Sequence, residues 1–181
     1  MKNIVFKITI MCALFFCRKT GFSQNRPNNV EMMNIEIAKP NKKGHIDMYS
    51  PMNELIKMFG KPLKTEEYYF EMDDKHGFVV KYQGANFYYQ DNRLIGFDFD
   101  STAKGFLIGL KDQRVFSGIG KSLNTFNKLK FVNGGAFFNV QSFGADAQQI
   151  LSFQTDQKQL VTKIFFTSYN PLQEKELTVN P

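Results

Sequence analysis

Between Glu67 and Asp100, apolar residues alternate with polar ones in short runs, and a turn-forming cluster separates each run from the next. Successive side chains of a strand point to opposite faces, so this alternation marks half-buried strands, and the tight turns between them mark an antiparallel meander. Glu67–Asp73 places Tyr68, Phe70 and Met72 on one face, with Asp73–Gly77 as the turn. Phe78–Tyr82 directs Phe78, Val80 and Tyr82 inward. Gly84 interrupts, Asn86–Gln90 is strand-like again, and Asp91–Arg93 turns. Leu94–Asp100 then directs Ile95, Phe97 and Phe99 inward and Asp98 and Asp100 outward.

One helix precedes the meander. Over Ser50–Gly60, Ser50 suits the N-cap and Pro51 the first helical position, where a missing N–H costs nothing. Met52, Leu55, Ile56 and Phe59 recur at i, i+3, i+4 and i+7, one apolar stripe. Gly60 and Pro62 stop it. The pattern then starts again: Gly118–Ser122 leads into Leu123, Phe126 and Leu129, with Ser122 as a second cap, and strands are expected over Ala136–Phe143, Gln149–Thr155 and Leu160–Ser168. Tyr82–Asn86 and Ser142–Asp146 also correspond loosely. The reading is an internal duplication. The predicted fold class is therefore α+β, two tandem units of a short helix packed on an antiparallel β-meander, over residues 46–110 and 111–170. A polar, proline-punctuated leader over 25–45, with Val30–Ala38 as an edge strand, precedes them, and a tail over 171–181 follows.

Residues 1–24 read as a cleavable signal peptide: Lys2 and Lys7, then the apolar run Ile8–Cys17, too short to cross a bilayer of roughly 30 Å. A lipid anchor on Cys17 is disfavoured, since bulky Phe15 and Phe16 stand where small residues are expected. The expected location is periplasmic or secreted, with no transmembrane segment in the mature chain. Removing Lys2, Lys7, Arg18 and Lys19 from 23 basic residues leaves 19 against 17 acidic ones, so the basic character belongs largely to the leader peptide. Nucleic acid is therefore not an expected partner. Cys12 and Cys17, the two cysteines, leave as well, which removes disulfides, thiolate chemistry and cysteine-ligated metal.

The two helix openings, Met48–Pro62 and Ile119–Leu129, resemble those of beta-lactamase inhibitor proteins and of the small outer-membrane-assembly lipoproteins that share their helix-plus-sheet unit. Phe59–Pro62 meets the family's glycine-x-proline exit, and Ile119–Gly120 its leading glycine. The resemblance implies the tandem fold over about residues 46–170 and a binding role. The lack of cysteine and tryptophan in the mature domain departs from the inhibitor, so inhibition of a beta-lactamase is not implied.

Three short motifs suggest chemistry and lack its context. Asp98–Thr102 fits D-x-D-x-T, a phosphatase nucleophile loop, but stands late in an antiparallel meander. Gly118–Ser122 resembles the end of a phosphate-binding loop, but Val115 occupies the position of its first glycine and no βαβ unit surrounds it. Asp73, Asp74 and His76 form a polar hairpin tip, and neither His45 nor His76 has a second histidine at ligand spacing. No catalytic residue, metal ligand or cofactor is assigned. Aromatics on both faces of Tyr68–Phe70 and Phe87–Tyr89 point instead to recognition, because rigid tyrosines give contact area at low entropic cost. The predicted binding residues are Tyr69, Glu71, Lys81, Tyr88 and Asp98. They serve an exported, non-enzymatic binding or assembly module whose partner is another exported protein or an envelope component. The alternatives are a carrier of a small apolar ligand and a metal-dependent hydrolase using Asp98 and Asp100.

Overall fold

The computed structural model describes residues 29–71, 73–141 and 149–167. The predicted signal peptide, Cys17, Met72, Asp146 and the tail lie outside the described residues. Strands dominate the rest. In chain order they are β1 (Asn29–Glu31), β2 (Ile35–Ala38), β3 (His45–Asp47), β4 (Lys64–Phe70), β5 (Lys75–Tyr82), β6 (Ala85–Gln90) and β7 (Arg93–Phe99). Then come β8 (Leu107–Leu110), β9 (Val115–Ser117), β10 (Lys130–Val132), β11 (Gly135–Gln141), β12 (Gln149–Thr155) and β13 (Val161–Thr167). A 3-10 turn, Met32–Asn34, links β1 to β2, and one α-helix, α1 (Met52–Phe59), lies between β3 and β4.

The meander β4–β7 forms as its alternation predicts, antiparallel throughout. It does not close a unit of its own. Strand β7 pairs with β13, so the two halves of the chain build one nine-stranded sheet in the order β1-β11-β12-β13-β7-β6-β5-β4, with β10 also on β11. Strand β1 runs parallel to β11 at the far end, which makes the sheet mixed. A second sheet, β3-β2-β8-β9, packs with α1 over one face of the first. There Ile35, Ile37, Ile46, Ile108 and Leu110 meet Phe87, Phe97, Phe99, Phe138 and Phe153 in one core.

The expected tandem α+β architecture is thus replaced by a mostly β fold with one α-helix among the described residues. The second expected helix fails for a local reason. Leu123 and Phe126 are buried as the stripe requires, but a bridge from Ser122 to Leu160 and a turn carry them there. Lys128 has φ 63° and Gly120 φ 79°, and Asn124, Thr125 and Asn127 are weak helix formers. Ser122 Oγ accepts from the Asn124 amide without a helix behind it. The predicted leader is also structural. Met32, Ile35 and Ile37 are buried, and β2 is an interior strand of the second sheet rather than an edge.

In α1 the apolar stripe is Met52, Leu55, Met58 and Phe59, with Leu55 fully buried; Ile56 is exposed. Pro51, not Ser50, is the N-cap, and a remote side chain supplies the missing acceptor: the Met52 amide donates to Asn92 Oδ1 at 3.2 Å, from the β6–β7 turn. Ser50 Oγ accepts from the Asp47 amide instead. Gly60 ends the helix at φ 92°, as expected.

Candidate binding face

Strand register decides which predicted residues meet. Thr65 lies opposite Val80, and Val80 opposite the core residue Phe87, so Thr65, Glu67 and Tyr69 share the core side of the sheet. Lys64, Glu66, Tyr68 and Phe70 share the outer side with Lys81, Asn86, Tyr88 and Asp98. Of the five predicted residues, Lys81, Tyr88 and Asp98 therefore stand together on the outer face. Tyr69 projects from the opposite face, and Glu71 sits in the β4–β5 turn. Tyr68, placed by alternation on the face opposite Tyr69, belongs to the outer group and is 41% exposed.

On that face the polar groups are paired in two knots. Tyr88 Oη donates to Asp98 Oδ2 at 2.7 Å, and Asn86 Nδ2 donates to Asp98 Oδ1 at 3.1 Å. Partial burial, then the adjacent carboxylate, pushes the Tyr88 hydroxyl well above its ordinary pKa. Glu66 binds both Lys64 and Lys81, which draw its carboxyl down to about 2. Beside the knots runs an aromatic strip: Tyr68 packs edge-on against Phe70 at 4.8 Å and against Tyr88 at 5.2 Å. Gly77 makes room for it. A Cβ there would stand 2.7 Å from the Phe70 ring and 2.1 Å from the Tyr89 carbonyl.

The β4–β5 hairpin also runs beyond the core on its other face. Phe78, predicted inward, shares the core side but is 45% exposed; Tyr69, beside His76, is 46% exposed. Tyr69 Oη donates to Asp74 Oδ1, and that bond raises its pKa. Strand β4 pairs with β5 on one side and with nothing among the described residues on the other. Its first half, Lys64–Glu67, is charged; its second half, Tyr68–Phe70, is aromatic.

The carboxylates of the D-x-D-x-T motif do not share a partner. Asp98 is held by Tyr88 and Asn86, and Asp100 accepts from Thr102 Oγ1 and the Thr102 amide, both at 2.7 Å. Those bonds hold the Asp100 carboxyl below its usual range. Gly118–Ser122 runs into the Leu160 bridge rather than a helix.

A second polar group escaped sequence reading. On the second sheet Asp47 lies opposite Glu36, and His45 opposite Ala38, so Glu36, His45 and Asp47 share its outer face. Beside them opens a cleft of about 490 Å³ whose walls include Lys39, Lys42, Lys111, Arg114 and Phe116. The spacing His45-x-Asp47 was its one local signal, since alternate residues of a strand share a face; Glu36 joins only through strand pairing. No family model, curated protein or solved structure matches this chain.

Proposed function

We propose that the protein is an exported, non-enzymatic binding module, and that the β4–β5 hairpin is its contact element. The observation that carries this reading is the β4 edge. Among the described residues, seven residues of strand have no partner on one side, and the aromatic half is exposed on both faces. Natural sheets guard such edges with charge, bulges or cover. Here Lys64, Glu66 and Glu67 guard one half, and Tyr68, Tyr69 and Phe70 leave the other open. A partner strand added there gains backbone hydrogen bonds, with Tyr68 and Tyr69 gripping it from either face. The partner this favours is another exported protein rather than a small molecule. The apolar-ligand alternative draws little support from the cleft on the second sheet, into which four cationic side chains, Lys39, Lys42, Lys111 and Arg114, are set beside Leu107 and Phe116.

The test is capture from an envelope extract by the immobilised protein. Capture that persists with Phe131→Ala and is lost with Tyr68→Ala and Tyr69→Ala supports the hairpin; Phe131 is 59% exposed on another strand and controls for general stickiness. Capture indifferent to both tyrosines overturns it.

A further inference from the structure

The cluster on the second sheet has the dimensions of a metal site. His45 Nε2 lies 3.3 Å from Glu36 Oε1 and 3.6 Å from Asp47 Oδ1, and the three donor atoms all fall within 4.8 Å of one another. Hydrogen bonds between an imidazolium and a carboxylate close to about 2.7–2.9 Å. Donors bound to one tetrahedral zinc ion at about 2.0–2.2 Å stand roughly 3.3–3.6 Å apart. The two observed spacings fit the metal; both lie within ion-pair range but are longer than a close charge-assisted hydrogen bond.

A second observation points the same way. Asp47 Oδ1 is sealed from solvent and accepts no hydrogen bond among the described residues. The Glu36 side chain is nine-tenths buried, with His45 as its near partner. Burying a carboxylate oxygen without a donor is costly, and a cation removes the cost. The rest of the site is arranged to keep the ligands in place. Lys111 Nζ holds the other Asp47 oxygen at 3.0 Å, the outer partner that orients a metal-binding carboxylate. Gly109 lies opposite Glu36 on β8, and the Phe116 ring covers it closely enough that a Cβ would stand 2.3 Å away. That ring gives the site one apolar wall.

We propose that Glu36 Oε1, His45 Nε2 and Asp47 Oδ1 bind one divalent transition-metal ion of the zinc class, with the fourth position open to the cleft. Two carboxylates neutralise the ion. Lys39, Lys42, Lys111 and Arg114 then leave the cleft net positive, so the fourth ligand it suits is an oxyanion such as phosphate or a carboxylate. Three protein ligands with one open position is the arrangement of zinc sites that engage an outside ligand.

Calorimetric titration of the full chain with Zn²⁺ tests the site. The expected result is one ion per chain, with affinity reduced at least about tenfold in His45→Asn and Asp47→Asn and unchanged in His76→Ala. Far-UV circular dichroism confirms that each variant remains folded; His45, 41% exposed, is the substitution least able to disturb the sheet. Co²⁺ supplies an independent readout, since its visible absorption is stronger in four-coordinate than in six-coordinate geometry, and inorganic phosphate added to the Co²⁺ form shifts that band. Absence of binding, or binding that follows His76 rather than His45, overturns the site. A Co²⁺ spectrum unmoved by phosphate overturns the oxyanion as fourth ligand.

Discussion

Tyr88, Asn86 and Asp98 form a small closed network in which one carboxylate receives two donors and a half-buried hydroxyl is spent on it. Tyr88→Phe removes one neutral-to-charged hydrogen bond and leaves Asp98 its amide partner, so the expected loss is about 1–3 kcal/mol by urea denaturation. Asp98→Ala strands two donors and costs more than Tyr88→Phe. Glu66 behaves differently because it titrates in an accessible range. Its carboxyl is drawn from an ordinary 4.5 to about 2 by Lys64 and then Lys81, so the folded chain holds the charged form more firmly than the unfolded one. Its contribution is complete above pH 4.5 and fades as pH falls toward 2. The expected outcome is a melting temperature that falls between pH 5 and 2.5 less steeply in Glu66→Gln than in the parent. An unchanged slope would assign the acid sensitivity to other groups.

At the scale of elements, α1 and the β6–β7 turn depend on each other. The Met52 amide is capped by Asn92, the Tyr49 amide donates to the Leu94 carbonyl, and the Leu94 amide donates to Ser50. Asn92→Ala should lose a cap worth about 1 kcal/mol, read by chemical denaturation, and Leu55→Ala about 2–5 kcal/mol for the cavity it leaves. The helix was legible in sequence because its start, stripe and stop are all local; its true cap lies 40 residues away and was not. The strands of the meander were legible for the same reason, but their faces were less so. A register shift between Tyr88 and Tyr89 leaves Ile95 as the extra residue, so Leu94 turns inward with Phe97 and Phe99 where simple alternation puts Ile95. Val79 and Val80 are both buried, which no one-sided pattern conveys. Leu123, Phe126 and Leu129 mislead because a turn that plunges into the core can use the spacing of a helical stripe.

For the whole molecule, the join between β7 and β13 ties the two halves into one sheet. Ile164, Phe165 and Phe166 register with Phe99, Asp98 and Phe97, and Phe166 stacks on Phe97 at 5.9 Å. A fragment of residues 29–110 would present β7 as a second open edge beside exposed Phe97 and Phe99. It should give a poorly dispersed NMR spectrum or associate, whereas two tandem units would give a fragment that folds alone. Such pairing is invisible to local pattern, and so was the meeting of Glu36 with Asp47 across β2 and β3.

The parallel strand at the far end of the sheet has a temporal consequence. Val30 pairs with Val140, so this ladder cannot form until residues 110 apart in the sequence have found each other. Folds dominated by such distant pairings refold in about milliseconds to seconds, against microseconds for local ones. A chain that closes its sheet so late has more time to be threaded after synthesis, which is in keeping with the export proposed above.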